Sequence, residues 1–304
     1  MTLEEVRNSK EYIDAYAEYI KSGEDKECRA LLTVNASGSV PVPTLVDEIV
    51  RTAWERNEFT QRLRKTYFRG NLKVAFERSA TAAAVHTEGT SAPSEESLVL
   101  GIVTMIPKNI KKWLRISDEA VAMGGEAFLR YVYDELTYQI IKKLSAEVVG
   151  DIATANTTHG TTAVGIPQAS AAPAVGTVAT AMSKLSDAAQ NLCVIMNRLT
   201  WGAFKAAQYA ANFDADPFEG LPVLFSDALP AYASADGDAV YAIVGDLNGA
   251  QVNYPEGEGV VIKWDELSEA EADLVKVVGR QYAAHAVTGP GCFCNITKPQ
   301  AVTT

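Results

Sequence analysis

The residues of this chain that could carry chemistry are three histidines, four cysteines and two carboxylate clusters. A histidine beside a nucleophile or a carboxylate would point to acid–base catalysis. His86, His159 and His285 are far apart in sequence and fall in three different predicted elements. His285 sits in an apolar stretch, AAHAV, where a hydrogen-bonded structural role suits it better than that of a base. Cys292 and Cys294 form a C-x-C pair, but no second pair or nearby histidine completes a zinc set. Asp214, Asp216 and Glu219, and again Asp236 and Asp238, could be read as calcium loops. Neither has the EF-hand spacing with its closing glutamate, so both read as solvated loops. H-E-x-x-H, G-x-S-x-G, Walker and dinucleotide-binding patterns are absent. The expectation is therefore no catalytic residue, no cofactor and no metal.

Composition narrows the class further. Hydrophobic residues make up 47% of the 304 and charged residues 21%, as in an ordinary globular chain. The net charge of −11 excludes a simple basic nucleic-acid binder. The sequence has no basic start leading into an apolar core and no long uncharged apolar run, so neither a signal peptide nor a membrane helix is expected. Four cysteines are too few for a disulfide framework, which points to a reducing compartment. The N-x-[ST] matches at Asn35, Asn156 and Asn295 are then incidental.

Charge is unevenly placed. Arg51 to Arg78 holds eight basic and three acidic residues, whereas Asp214 to Asp273 holds fourteen acidic residues and the single Lys263. Such segregation suits association through complementary surfaces.

The elements follow from periodicity and punctuation. Residues 3–20 predict an amphipathic helix, followed by a Ser/Gly/Pro-rich extended stretch; together the first forty residues read as an arm outside the core. A helix starts at Thr44, with Asp47 completing a capping pattern. YFRGNLKVAFE and SLVLGIVTMIPKNIKKWLRIS predict strands around a small, polar connection at 79–96, a long β-arm. The spacing of Phe128, Leu129, Val132, Leu136, Ile140, Leu144 and Val148 predicts one long helix over 126–149, stopped by Gly150. Residues 152–183 read as loop. NLCVIM, GLPVLFS, AVYAIVGD, GVVIKW and LVKVVGRQYAAHAV predict strands, Thr200–Ala211 a helix, 265–273 an acidic helix or turn, and the tail after Gly289 is expected to be loose.

This order, together with ALLTVNASGSVPVPTLVDEIV, AVHTEGTSAPSEESLVLGIVTMIPKNIKKWLRISDEAV, VIMNRLTWGAFKAAQ and VVGRQYAAHAVTGPGCFCNITK, closely resembles the tailed-phage major capsid proteins of the Hong Kong 97 fold. The resemblance covers nearly the whole chain. It implies an α+β fold with an N-terminal arm at 1–43, the start of the P-domain at 44–66, an extended β-hairpin loop at 67–116, a P-domain spine helix at 117–150, an A-domain at 151–273, and a P-domain return strand with C-terminal tail at 274–304. It implies a non-enzymatic subunit that self-assembles into hexamers and pentamers of an icosahedral head around double-stranded DNA, bound without sequence preference. Portal protein, scaffold, maturation protease and a possible decoration protein are the implied partners. The virion, assembled in the host bacterial cytoplasm, is the implied location; a prophage origin is equally compatible.

Two departures from the family bear on assembly. Many relatives carry a long N-terminal scaffolding segment that a protease removes, whereas this chain begins almost at the arm, so a separate scaffold or a matured form is expected. The loop tip 79–97 contains no lysine, which argues against the lysine–asparagine cross-link of some relatives. Non-covalent contacts are expected instead, with Arg62, Arg64 and Lys65 of the basic segment and His86 and Glu88 of the loop tip meeting neighbouring subunits. Two other readings stay open: an encapsulin-like cellular compartment, and a soluble hydrolase or carbohydrate-binding module built on Asp214 and Glu219.

Overall fold

A computed structural model describes residues 3–32, 40–46, 48–49, 57–79, 99–117, 125–154, 158–159, 162–163, 165–211, 214–257, 259–265 and 274–300. The chain starts with helices α1 (Leu3–Asn8), α2 (Lys10–Ser22), α3 (Lys26–Leu31) and α4 (Glu58–Gln61). Strands β1 (Arg64–Thr66), β2 (Leu72–Ser79), β3 (Val99–Met105) and β4 (Lys108–Ser117) precede helix α5 (Gly125–Thr154). Then come β5 (Thr158–His159), β6 (Thr162–Ala163), β7 (Gln168–Ser170), α6 (Thr177–Met182), β8 (Leu192–Met196) and α7 (Arg198–Ala211). The last strands are β9 (Val223–Phe225), β10 (Val240–Asp246), β11 (Ala250–Asn253), β12 (Val261–Asp265), β13 (Leu274–Val287) and β14 (Phe293–Thr297). Contacts divide the chain into two units, the first from 1–61, 108–144 and 255–283, the second from 62–107, 145–254 and 284–304.

The first unit is built on the N-terminal part of α5. The apolar stripe read from the sequence is buried: Phe128, Leu129, Val132 and Leu136 are all fully inaccessible. Against them pack the N-terminal helices and a sheet in which β4 and β12 flank β13, both antiparallel to it. Gly279 makes that approach possible, since a Cβ there would lie 3.1 Å from Leu136 and 3.2 Å from Val260.

Here the structure corrects two expectations. The single helix over 3–20 is two, because Ser9 leaves the helical path and caps α2, its hydroxyl accepting the Tyr12 N–H at 3.2 Å. The described part of the first forty residues, 3–32 and 40, is also not outside the core. Tyr12 and Ala17 are fully buried, and the Tyr12 hydroxyl donates to the Pro41 carbonyl at 2.8 Å, its pKa pushed up to about 12 chiefly by burial. Small and aromatic residues at helical spacing gave α2 a packing face that its exposed carboxylates disguised. The helix starting at Thr44 is described at 44–46 and 48–49, with Val46 and Ile49 in this core; Asp47 lies outside the described residues.

The second unit centres on a five-stranded sheet of order β7-β14-β10-β8-β9. β10 is antiparallel to both β14 and β8, while β7 and β9 pair in parallel at the edges. α6 and α7 cover it through Val178, Ala181 and Phe204. β2 and β3 form an antiparallel hairpin from the pair Leu72–Met105 to the pair Ser79–Val99. The connection that the sequence reading makes its tip lies outside the described residues, as do 266–273. β1 runs parallel to β11, which pairs in turn with the C-terminal end of β13.

Three further expectations change. α5 does not stop at Gly150 but runs to Thr154, 30 residues in all, or about 45 Å. Ile152 is fully buried and its carbonyl accepts the Asn295 side-chain amide at 2.9 Å, packing that outweighs the roughly 1 kcal/mol cost of a helical glycine. The stretch 152–183 is not all loop, since it contains β7 and α6. The tail after Gly289 is not loose either: β14 is an interior strand, with Phe293, Cys294, Asn295 and Ile296 fully buried.

Candidate assembly surfaces

Among the described residues the reactive side chains do not converge. His285 Nδ1 lies 2.6 Å from Asp151 Oδ2, with the two side chains 3% and 20% exposed. That pair links β13 to α5 inside the second unit. His159 falls in β5, and His86 lies outside the described residues. Among the described residues no group of three or more histidines, cysteines and carboxylates could hold a metal.

The four cysteines are free thiols. Burial, with Asp25 and Glu27 nearby, pushes Cys28 up to about 11; burial and the Asp246 carboxylate push Cys292 up, and burial does the same to Cys294. Protonated thiols are poor nucleophiles. A cavity of about 720 Å³ in the second unit is lined by Arg64, Phe76, Ser186 and Cys292 with the Gly289–Gly291 backbone. It brings no acid–base pair together.

The carboxylate clusters have structural work. Asp216 accepts the backbone N–H groups of Phe218 and Gly220 at 3.3 and 2.9 Å, and Lys205 lies 3.8 Å away. Asp238 hydrogen-bonds Gln300, and Asp214, Asp227 and Asp236 stand exposed on neighbouring loops. The more consequential carboxylate, Asp246, gave no signal in the sequence. It is 4% exposed and accepts three backbone N–H groups, from Gln190 and Asn191 at 3.1 Å and from Asn248 at 3.0 Å. Burial pushes its pKa up, but the three donors outweigh that and hold it below the usual carboxylate value.

What the second unit does present is a basic segment with exposed aromatic residues beside it. Arg62, Arg64 and Lys65 fall together at the start of β1, anchored by the buried Leu63. Glu88, like His86, lies outside the described residues. The segment after β1 is held by Asn253, fully buried, whose Oδ1 accepts the Phe68 N–H at 2.7 Å and whose amide donates back to the Phe68 carbonyl at 2.9 Å. That clamp displays Tyr67 and Phe68 to solvent at 59% and 53% exposure beside the cations.

A second surface lies on α7 and the edge strand β9. Leu199 is 74% exposed, with Trp201 and Phe225 beside it packed edge to face at 6.5 Å. The Arg198 guanidinium lies 4.3 Å above the Phe225 ring. Exposed aromatic residues with an arginine are the composition of interaction hot spots. The sequence signal was present: α7 carries apolar residues around its whole circumference, more than one buried face needs.

Comparison with known proteins identifies a family. The family model described as "Phage capsid family" matches residues 38–297. No curated protein is significantly similar in sequence. Among solved structures, the capsid of an empty GTA particle superposes with a TM-score of 0.55 at 15% identity, covering 92% of this chain and 99% of that one. The Gordonia phage Cozz protein gives 0.53 at 15% identity, over 81% and 87%. A virus-like particle from Pyrococcus furiosus gives 0.52 at 12% identity, over 83% and 96%. At these identities the structures speak to the fold, and the family model to descent. This chain, with helices and sheets in the Hong Kong 97 arrangement, belongs to the phage capsid family and is a capsid shell protein.

Proposed function

We propose that the chain is the major subunit of an icosahedral phage head, assembling as hexamers and pentamers around double-stranded DNA. The observation that carries this is membership of the capsid family across residues 38–297. The exposed aromatic surfaces on α7–β9 and after β1 support it, since a subunit must keep contact area free until a neighbour arrives. A shell repeats each contact many times, so individually weak interfaces suffice. The chain's net charge of −11 also suits a container wall to which packed DNA should not adhere. Scaffold, maturation protease, portal and a possible decoration protein are the partners this role requires, and the virion is its location. Arg62, Arg64 and Lys65 are proposed to meet acidic loops of a neighbouring subunit.

The test is expression alone and together with the proposed scaffold, followed by electron microscopy and mass measurement. Closed shells, or rings of five and six, are expected; a homogeneous monomer of about 33 kDa in both cases sinks the reading. Charge reversal at Arg62, Arg64 and Lys65 is expected to block assembly, and intact assembly would remove those residues from the interface. A second reading, a shell without a genome, is favoured by the likeness to the Pyrococcus furiosus particle. Nuclease-protected DNA in particles from the native source separates the two.

A further inference from the structure

The β4–β13–β12 sheet of the first unit has one face in the core and one in solvent, and the solvent face is unusual. Val277, Leu114 and Ile262 point inward. The intervening residues point outward, and the antiparallel register sets them side by side: Arg115 with Lys276, Trp113 with Val278 and Lys263, Lys111 with Arg280 and Val261. Five cations thus share one face of a chain whose net charge is −11. Asp265, opposite Lys276, is the single acidic position in register on these strands. Trp113 is 61% exposed, with the Lys276 ammonium 4.0 Å from its ring centre, and Arg280 lies 5.8 Å from the Tyr282 ring.

Two of the cross-strand pairs, Arg115–Lys276 and Lys111–Arg280, set like charges directly opposite each other. Like charges in that position destabilise a sheet. A face on which cations are set opposite one another gains from an anionic partner that binds across it. Trp, Tyr and Arg with interspersed Val is the composition of a protein interface core. The chain itself also carries the complement: from Asp214 to Asp238 there are six carboxylates and no lysine or arginine, all six exposed.

We infer that the outward face of β4–β13–β12 docks the acidic 214–238 surface of a second copy of this chain. The inference rests on the assembly reading above and adds a surface to it, distinct from Arg62, Arg64 and Lys65.

Two measurements on the full chain with its scaffold test it. In the first, particles mixed from light- and heavy-isotope subunits are treated with a zero-length carbodiimide. Amide links between Lys111, Lys263 or Lys276 of one copy and 214–238 carboxylates of another are expected. Links from these lysines only within one copy, or only to other acidic segments, overturn the inference. In the second, Lys111→Gln and Lys111→Glu/Arg280→Glu are compared with wild type. Relief of a like-charge pair should raise the melting temperature of the unassembled K111Q subunit by about 1–2 °C while its assembly falls, a pairing of signs that a merely structural residue would not give. The double reversal should lower particle yield at least about tenfold. If wild type forms no particles, the assembly reading itself fails. If wild type and the double reversal assemble alike, only this inference fails. Particles of normal yield in which nuclease digestion exposes the same lysines to acetylation would overturn it in favour of nucleic acid.

Discussion

Replacing Asp246 by asparagine is expected to loosen one end of the second unit's sheet. The carboxylate gathers three backbone N–H groups, two from the turn leading into β8 and one from the turn between β10 and β11, at 3.0–3.1 Å. An asparagine side chain of the same shape offers one acceptor oxygen and turns an N–H₂ toward the remaining donors. At least one amide, and in some rotamers two, loses its partner within the chain. Each such loss costs about 1–3 kcal/mol, so Asp246→Asn should cost about 2–4 kcal/mol, and Asp246→Ala, which orphans all three, somewhat more. Because the native pKa is depressed, the stabilisation is fully present above the ordinary carboxylate value near 4 and fades as pH falls through the lower native value. Mutant and wild type should therefore differ most at neutral pH and converge in strong acid. With two units in the chain, a global unfolding curve would blur a local effect. Hydrogen exchange of Gln190, Asn191 and Asn248 on the unassembled subunit is the direct assay. Unchanged protection at these three amides in Asp246→Asn at pH 7 would refute the reasoning.

Gly245→Ala should be more damaging than its size suggests, because the new Cβ would run into the Cys292 carbonyl and the Phe293 ring; soluble yield of the variant is expected to collapse, while alanine at Gly150, with open space around it, should be tolerated and raise the melting temperature slightly. Leu136→Ala should cost about 2–5 kcal/mol, read as earlier unfolding of the first unit, since Leu136 is fully buried against Gly279 and its neighbours. Leu199→Asp and Phe225→Ser, on the α7–β9 surface, should leave the melting temperature of the unassembled subunit within about 2 °C of wild type while reducing particle yield, measured by sedimentation; unchanged yield would take that surface out of the interface.

The long helix was legible because its stripe persists for six turns, and every residue assigned to it is buried. Its end was not, because Gly150 is a stop signal only where nothing packs beyond it, and Ile152 does. β14 escaped for a related reason: FCNIT is short and carries Asn295 and Thr297, which look polar until Asn295 is seen donating to the α5 backbone. Among the surfaces, Arg62, Arg64 and Lys65 stood out as a charge run, since neighbours in sequence need no fold to be seen together. The row formed by Lys111, Arg280 and Val261 joins three distant segments, and no one-dimensional pattern encodes a register. Asp246 looked like one carboxylate among fourteen in an acidic stretch, because the donors that distinguish it come from the backbone of another segment.

The place of β14 has a consequence for how the subunit is made. β7, β8, β9 and β10 leave the ribosome first, yet the strand that lies between β7 and β10 is read after all of them. Until it emerges, the apolar flank of β10 waits as an open edge, the kind of surface that pairs with the wrong chain. A product cut short before Phe293 would keep its long helix and most of its surfaces but could not close this sheet. Synthesis through Thr297 is thus what completes the second unit's sheet, so the body that carries its exposed surfaces is finished only by its last strand.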